Sequence, residues 1–445
     1  MDRRHFVKSA SALTGALATP LMLGAVNRRI SQLDKIQIGV IGCNGMGWSD
    51  TFSMLKMTDV DLVGICDVDQ NVIDRRLSEY SKLRKNKPKT YGDYRELLRD
   101  ESIDAVIIGT PDHWHCKIMV DAVKAGKHVY VEKPVANSIK EANIMVKAAA
   151  KYGKAVQTGQ WQRSGPHYKQ AMDILWSGVL GDIRLVKVWA YQGWMKPIPV
   201  LKDSQAPEGV DYKMWLGPAP TRSFNANRFH FNFRWFWDYA GGLMTDWGVH
   251  EIDIALWGMK AIVPNSVIAS GGKFAYPDDA SETPDTLQTV FQYNSFNMLW
   301  EHATGIDNGP YGKTEGISFI GNNGTLVVNR DGFEVLIEKI GLDYSTRGDN
   351  KMETIETVST PKGVNYLDLH TKNFVEAIKT NDPTILNTPI DKGSLAAINA
   401  QMGNIAYRTG TKVDWDMENQ QFKNNEAANK LLKASYNNGW EMPEL

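Results

Sequence analysis

The 445-residue chain lacks several features that would place it in a specialised class of protein. Its three cysteines, Cys43, Cys66 and Cys116, are irregularly spaced, which excludes a disulfide framework. Lys and Arg number 50 against 51 Asp and Glu, and no stretch concentrates basic residues, which argues against a nucleic-acid-binding protein. No apolar run reaches the ~20 residues of a membrane-spanning helix.

Tryptophan and glycine are abundant instead, with 14 and 38 residues. Hydrophobic residues make up 42% and charged residues 23%, a composition typical of soluble globular proteins. The length favours two domains. Tryptophan offers large flat apolar faces, and carbohydrate is one ligand that uses them.

The N-terminus has the layout of an export signal. In MDRRHFVKSASALTGALATPLMLGAVNRR, Arg3 and Arg4 precede a mildly apolar run from Ala10 to Val26. This predicts a twin-arginine signal over residues 1–30 and a periplasmic protein, attached to the membrane if the signal stays uncleaved. An amphipathic N-terminal helix is the alternative. Twin-arginine cargo folds in the reducing cytosol, so free, buried thiols are expected.

Residues 31–160 alternate between apolar strands and amphipathic helices. The strands are KIQIGVIG, DLVGICDVD, a short piece around Thr90 and Tyr91, DAVIIGTP, KHVYVEKP and KAVQTGQ. Such βαβ repetition predicts an α/β fold, a doubly wound Rossmann domain whose ligand crevice lies at the carboxyl ends of the strands.

A glycine-rich turn, GCNGMG, separates the first strand from the first helix. Asp67 ends the second strand 25 residues after Gly42. In a dinucleotide site, Gly42 would approach the pyrophosphate and Gly47 would pack the helix on the strand. Asp67 would bind the adenosine ribose hydroxyls and repel a 2′-phosphate, which favours NAD over NADP.

The turn departs from G-x-G-x-x-G at its second glycine, where Asn44 stands and Gly45 and Met46 follow. Asn tolerates a left-handed backbone, so we still expect residues 44–46 to contact the cofactor. Arg75 and Arg76 in the next helix keep NADP open as an alternative.

Two further motifs carry candidate catalytic groups. The fifth strand ends in Glu132, Lys133 and Pro134, which would face the crevice. In GGLMTDWGVHEIDIALWG, Asp246 and His250 are four residues apart among apolar residues at helical spacing, which predicts that both project from one helix face. Oxidising an alcohol requires a base near the hydroxyl, and a desolvated lysine or a histidine meets that need.

From GVIGCNGMG to AYRTGTKVDWD, the chain resembles the Gfo/Idh/MocA family of oxidoreductases. The resemblance implies that Lys133 lies beside the nicotinamide and the substrate, next to an often cis bond to Pro134. It also implies that Asp246 binds a substrate hydroxyl and that His250 shares proton transfer with Lys133.

The segment TPDHWHCKI follows the fourth strand. By the same resemblance, Thr110 and Pro111 line the nicotinamide side of the crevice. We expect His113 to form a polar wall of this pocket and His115 to be a helix-start residue. The two histidines resemble a metal site only superficially, because no acid or Cys cluster completes a ligand shell, so no metal is predicted.

Residues 161–445 are predicted to form a substrate-binding and oligomerisation domain. Strands are expected at DIRLVKVWAYQGW, 263–276, 284–304, 314–328 and 332–339, in a large open, mainly antiparallel sheet, with C-terminal helices packing back. The family resemblance implies a homo-oligomer, a dimer or tetramer, that assembles through the open sheet face.

Aromatic residues occupy nearly every other position of FNANRFHFNFRWFWDYAGG, and about half of them are predicted to be core. Stacking rings and hydroxyl-binding side chains are the candidate sugar contacts. Besides Asp246 and His250, they are Trp161, Arg163, Tyr191, Trp194, His230 and Arg234.

Three functions compete. The first is an NAD-dependent dehydrogenase acting on a secondary hydroxyl of a sugar or glycoside, with C3 of a glucose-like ring favoured. The second is a redox-neutral glycoside hydrolase or lyase that acts by oxidation and elimination with the same residues. The third is a non-catalytic sugar-binding protein, which the joint presence of Lys133, Asp246 and His250 argues against. We favour the first.

Overall fold

The computed structural model describes residues 34–445, so the segment predicted to be an export signal lies outside the described residues. The N-terminal sheet is parallel, with the order β3-β2-β1-β4-β5-β6. This confirms the predicted Rossmann sheet. Its strands are β1 (Ile36–Ile41), β2 (Val60–Cys66), β3 (Lys89–Tyr91), β4 (Ala105–Ile108), β5 (His128–Val131) and β6 (Val156–Thr158).

Five helices connect these strands: α1 (Met46–Met54), α2 (Gln70–Ser81), α3 (Tyr94–Arg99), α4 (Asp112–Lys124) and α5 (Ile139–Tyr152). The strand order reverses between β1 and β4, which is the switch point where open α/β sheets bind ligands. The turns after β1 and β4 therefore border the crevice.

The second sheet has ten strands in the order β16-β13-β12-β11-β7-β10-β9-β8-β17-β18. Every neighbouring pair is antiparallel except β7 and β10, which run parallel. Its strands are β7 (Ile183–Gln192), β8 (Ser266–Gly272), β9 (Thr286–Gln292), β10 (Asn297–Thr304), β11 (Glu315–Gly321), β12 (Gly324–Asn329), β13 (Gly332–Ile337), β16 (Val358–Ser359), β17 (Val413–Asp416) and β18 (Gln421–Phe422). A hairpin of β14 (Lys339–Gly341) and β15 (Arg347–Asn350) stands apart.

Seven helices accompany this sheet: α6 (Pro166–Trp176), α7 (Tyr212–Leu216), α8 (Gly242–Asp246), α9 (Gly248–Met259), α10 (Tyr366–Thr380), α11 (Ile390–Thr409) and α12 (Glu426–Lys430). α9 and α11 pack on each other; α9 contacts β7 and β11, and α11 contacts β8. α11 also packs on α5, and α10 packs on α1, so both C-terminal helices lie against the Rossmann domain.

The helix predicted to carry Asp246 and His250 is interrupted between them. Asp246 ends α8, and His250 lies in the first turn of α9, with Trp247 between the two helices. The N–H of Trp247 donates to the Leu243 carbonyl and that of His250 to the Trp247 carbonyl, at 3.1 and 3.0 Å. The backbone thus stays nearly helical across the junction.

The last residues of the chain lie against the Rossmann domain. The Trp440 ring packs on Trp114, with centroids 4.8 Å apart, and stacks near Tyr94. The Arg95 guanidinium lies 5.0 Å from the centroid of the Trp440 ring. Within residues 34–445, no helix is long and apolar enough to cross a membrane.

Candidate functional site

The glycine-rich turn packs too closely for other residues. Gly42 has φ +78°, and a Cβ there would stand 2.7 Å from the Thr110 nitrogen. A Cβ on Gly47 would overlap the carbonyl oxygen of Gly42. The turn leads into the N-terminus of α1, whose free N–H groups favour an anion such as a pyrophosphate.

Asn44 replaces the second glycine of the motif, and its side chain is fully engaged. Its amide nitrogen lies 3.1 Å from Nδ1 of His230, and its oxygen accepts from Arg75. Arg76 donates to the carbonyls of Cys43 and Asn44. Both arginines, which kept NADP open in the sequence analysis, therefore reach the turn.

Asp67 lies at the end of β2, beside the turn. Its Oδ2 accepts from the Cys43 N–H at 2.9 Å, and its Oδ1 accepts from the Asp69 N–H at 3.1 Å. Burial raises the pKa of Asp67, and these two donors oppose that shift. All three cysteines are free and buried, as predicted.

One cavity runs from this turn to the end of β5. Its lining includes Gly42, Asp67, Thr110, Pro111, Glu132 and Lys133. The glycine turn, the helix N-terminus and the strand-end carboxylate at one end of it have the form that a dinucleotide requires. Asn44, Gly45 and Met46 also line it.

At the other end, one carboxylate holds two cations. Lys133 Nζ donates to the carbonyl oxygen and to Oδ1 of Asp246, each at 2.9 Å. Arg234 Nε donates to the same Oδ1 at 3.0 Å. Burial alone would raise the pKa of Asp246, but Lys133 and Arg234 outweigh it and hold the pKa at about 2. The Lys133–Pro134 peptide bond is cis.

His250 is buried beside this cluster. Its Nδ1 has no hydrogen-bond partner among the described residues, and its ring lies between Trp161 and Trp247, at 5.8 and 6.3 Å. Burial, reinforced by the charges of Lys133 and Arg330, holds the pKa of His250 well below its usual value. The imidazole is therefore neutral at pH 7.

Arg330 packs on the two tryptophans that flank His250, and the sequence analysis did not predict it as a site residue. Its guanidinium lies 4.5 Å from the ring centroids of both Trp161 and Trp247. It lies in the turn between β12 and β13, 80 residues from His250 along the chain. No local pattern relates them, because only the sheet brings that turn under α9.

Asp112 is a further site residue that the sequence analysis did not predict, although it stands directly before His113 in TPDHWHCKI. It opens α4, lines the cavity and is 5% exposed. Burial raises its pKa to about 8, with opposing contributions from Arg234 and Lys133. A neutral carboxyl group therefore faces the cavity near these cations.

His113 lies elsewhere than predicted. It packs against Trp215 and Tyr239, with Nε2 lying 3.1 Å from the Trp215 carbonyl oxygen, and it is absent from the cavity lining. His115 is more than a helix-start residue, because its ring nitrogens lie 2.7 Å from the Pro134 carbonyl and 2.8 Å from that of Thr110.

Two predicted sugar contacts have other partners. Arg163 forms a buried ion pair with Asp253, at 2.7 Å, so it holds α9 in place. His230 lies between Asn44 and Asp69 at the dinucleotide end of the cavity, 3.0 Å from Asp69 Oδ2. Helical spacing places Asp253 near His250, but its carboxylate is taken by Arg163.

Of the other predicted sugar contacts, Arg234 lines the cavity, whereas Trp161, Trp194 and Tyr191 lie outside its lining. Arg234 and Trp161 belong to the Lys133–His250 cluster described above. Trp194 is 54% exposed and packs its ring edge on Phe231, which lines the cavity. Tyr191 lies on β7 with its hydroxyl 3.5 Å from Glu301, outside the cavity lining. In residues 34–445, no cluster of His, Cys, Asp and Glu has the makings of a metal site.

Comparison with known proteins assigns the chain to a family. Residues 36–160 match the sequence model of an oxidoreductase family's NAD-binding Rossmann fold. Residues 169–268 and 353–442 match that family's C-terminal α/β domain, and residues 220–327 match a further Gfo/Idh/MocA C-terminal domain. The chain belongs to the Gfo/Idh/MocA oxidoreductase family. Its N-terminal domain is accordingly an NAD-binding domain.

The curated relatives of this Gfo/Idh/MocA protein include glycoside hydrolases. Glycosyl hydrolase family 109 protein 1 of Shewanella sp. (strain ANA-3) is 30% identical over 205 residues, 41% of this chain and 44% of the relative. Alpha-N-acetylgalactosaminidase of Shewanella oneidensis is 29% identical over 205 residues, with the same coverage. The matched region thus spans less than half of these relatives' length.

Solved structures share the fold at lower identity. The WlbA dehydrogenase of Bordetella pertussis, in complex with NADH and UDP-GlcNAcA, is 18% identical, with a TM-score of 0.61 over 86% of this chain and 99% of that one. Levoglucosan dehydrogenase, in complex with NADH and levoglucosan, is 18% identical, with a TM-score of 0.62 and the same coverage.

Proposed function

We propose that this protein oxidises a secondary hydroxyl of a sugar or glycoside, with C3 of a glucose-like ring favoured, and passes the hydride to a tightly held NAD. The observation that carries the proposal is the cluster at the cavity end opposite Asp67. There Lys133 and Arg234 share the carboxylate of Asp246, beside a neutral, buried His250.

The cluster suits the removal of a hydroxyl proton. The carboxylate of Asp246 stays ionised and can accept a hydrogen bond from a substrate hydroxyl. The neutral imidazole of His250 can receive the proton, and Lys133 shares in the transfer only when its amine has given up one of its own protons. Bound NAD supplies the hydride acceptor, and these residues orient the carbon that is oxidised.

The walls of the cavity support a carbohydrate substrate. Arg234 adds a donor for hydroxyl groups, and the exposed ring of Phe231, with Trp194 packed against it, offers an aromatic surface for the C–H face of a pyranose. Names of the structural relatives point the same way, since those complexes hold levoglucosan and UDP-GlcNAcA. The contact between Lys133 and Asp246 argues against a non-catalytic binding protein.

We also propose export through the twin-arginine route and assembly into a homo-oligomer. The periplasm has no free nicotinamide pool, so an enzyme working there must fold around NAD before export. Leu185, Ile268 and Val290 are exposed on strands of the second sheet, and an apolar sheet face of this kind supports self-association.

Redox-neutral glycoside cleavage is the second candidate, and Asp112 favours it. After oxidation at C3, elimination needs an acid to protonate the departing oxygen, and Asp112 is a neutral carboxyl group on the cavity wall. The names of the curated relatives, glycosyl hydrolase family 109 and alpha-N-acetylgalactosaminidase, also favour it.

One experiment separates the two candidates. The purified protein with NAD bound is mixed with a panel of chromogenic glycosides, and reduced nicotinamide and released aglycone are followed together. Accumulation of reduced nicotinamide without aglycone supports the dehydrogenase. Aglycone released over many turnovers without lasting reduced nicotinamide would show that the protein is the glycosidase and not the dehydrogenase. Absence of both reduced nicotinamide and aglycone would reject both functions.

A further inference from the structure

Two buried carboxyl groups face each other beneath the cavity, and the proposed chemistry does not use one of them. Asp50 on α1 is 0% exposed and Glu132 at the end of β5 is 4% exposed. Their side chains are hydrogen-bonding neighbours. Among residues 34–445, no other donor reaches either oxygen of Asp50.

Two such groups hold a proton between them. Burial raises the pKa of Asp50 well above its usual value, and the neighbouring Glu132 raises the pKa of Asp50 further. Burial also raises the pKa of Glu132, to about 7. Lys133 and Arg234 face Glu132 from the cavity and oppose its shift, while Tyr130 adds a buried hydroxyl on the same strand.

Glu132 is the member of the pair that lies nearer the proposed reaction. It lines the cavity together with Lys133, and its Oε2 accepts from the Lys133 backbone N–H at 3.2 Å. The fit around it is tight, since a Cβ on Gly159 would overlap Oε1. A proton in the cavity therefore meets Glu132 before it meets Asp50.

A second set of contacts begins beside Asp50, at Ser53, and leads to the surface. Ser53 follows Asp50 by three residues on α1, so their side chains are neighbours about 5–6 Å apart at Cβ. Ser53 Oγ donates to Asp368 Oδ1 at 2.6 Å and lies 2.8 Å from Thr371 Oγ1. The Asp368 side chain is 33% exposed and paired with Lys56.

We propose that Glu132, Asp50, Ser53 and Asp368 form a proton exit line from the reaction cavity to solvent, along the seam between α1 and α10. The inference rests on the proposed oxidation. With nucleotide and sugar filling the cavity, its mouth is blocked, so the line gives the proton another way out.

The balance is one proton per alcohol oxidised. The C–H bond breaks and its electron pair leaves as hydride, while the O–H bond breaks and its proton passes to the neutral imidazole of His250 or to an uncharged Lys133 amine. The acid pair takes that proton on the cavity side and releases its shared proton on the far side. A bridging water carries it from Asp50 to Ser53, and Ser53 passes its own hydroxyl proton to Asp368, which loses it to solvent.

The decisive measurement compares two rates in one rapid-mixing experiment. Reduced nicotinamide and proton release to an indicator dye are followed in the wild type, Asp50→Asn and Asp368→Asn. In both variants we expect proton release to fall about tenfold or more behind the wild-type rate. Small weak acids such as formate should restore it in Asp368→Asn, whereas Asp382→Asn, an exposed helix-capping acid, should match the wild type.

Infrared difference spectra test the pair without cofactor or activity. The wild type minus Asp50→Asn should show the carbonyl band of a protonated carboxylic acid at neutral pH. Absence of that band, or unchanged proton release in both variants, would overturn the proposal while the oxidation stands. If the wild type oxidises no sugar, the proposed function fails and the exit line fails with it, even where the infrared band remains.

Discussion

At position 246, a single side chain organises the reactive end of the cavity. Its carboxylate binds Lys133 and Arg234, which come from different domains. The result is a fixed cation pair around one anion, with His250 neutral beside them. The proposed function gives Lys133, Asp246 and His250 separate tasks in proton transfer, so single substitutions distinguish these three residues.

Lys133→Ala should lower turnover by at least about a hundredfold, because it removes a proposed proton-transfer group that is held by Asp246. Bound NAD should be retained, since the turn after β1 and Asp67 are unchanged. Turnover is measured with the best glycoside of the panel and nucleotide content by absorbance after denaturation. Lys89→Ala, an exposed surface lysine, is the control, and normal activity of Lys133→Ala would remove its catalytic role.

Asp67→Ala should weaken NAD retention and narrow the preference for NAD over NADP. The carboxylate is the group that would bind the ribose hydroxyls and repel a 2′-phosphate. Nucleotide affinities of the stripped protein are measured by calorimetry. Asp61→Ala, a surface acid near the start of β2, should leave both affinities as they are. Equal NAD affinity in Asp67→Ala would show that this carboxylate does not bind the ribose.

At this scale, sequence motifs predicted the residues that stand at strand ends. Gly42, Asp67 and Lys133 line the cavity because strand-end positions are fixed by the fold. The contacts of side chains in the aromatic segment were harder to predict, because a ring or guanidinium can point to either side of the backbone. His230 turned to the dinucleotide end for this reason.

At the scale of elements, the close contact of β1 with α1 depends on Gly47, which has no side chain. Gly47→Ala should displace the start of α1, because its Cβ would overlap the Gly42 carbonyl oxygen. NAD retention should fall by about tenfold or more, since the N–H groups at the pyrophosphate would move. Gly341→Ala, whose Cβ would enter open space, is the control. Retained binding in Gly47→Ala would show that α1 can shift without cost.

The ion pair under α9 gives a second prediction for an element. Arg163→Met should destabilise the protein by about 3–5 kcal/mol, because Asp253 would remain as a buried, unpaired charge. Denaturant unfolding measures this loss. KM for the sugar should stay within about twofold in the folded variant, since Arg163 holds a helix and does not face the cavity. A large rise in KM with unchanged stability would return Arg163 to the substrate site.

Strand and helix positions followed from periodicity more reliably than their junctions. The run at 284–304 is two strands, and the helix around Asp246 and His250 is two helices. In the second case the apolar pattern continues through Trp247, so spacing alone shows no break. The contact between Arg330 and this junction depends on the sheet and could not be found in any local pattern.

At the scale of the whole molecule, buried carboxyl groups link stability to pH. The pKa of Asp112 is about 8 in the folded protein and near 4 in the unfolded chain. Its contribution to stability is therefore complete below about pH 4 and is lost as the pH rises toward about 8. Asp112→Asn removes this pH-dependent loss of stability, because an Asn side chain does not ionise.

We accordingly expect Asp112→Asn to gain stability over the wild type progressively between about pH 4 and pH 8. Urea unfolding at several pH values, with and without the substitution, measures the difference. Asp414→Asn, at an exposed pair, should show no such slope. A constant difference across the range would mean that Asp112 is ionised in the folded protein at neutral pH.

The contact of Trp440 with Trp114, Tyr94 and Arg95 bears on how the molecule is made. Residues 36–160 are synthesised well before position 440, so the outer surface of α3 and α4 gains this aromatic cover late in synthesis. Trp114 and Tyr94 both line the NAD cavity. One wall of the cofactor site is therefore completed by a side chain that is made after the whole Rossmann domain.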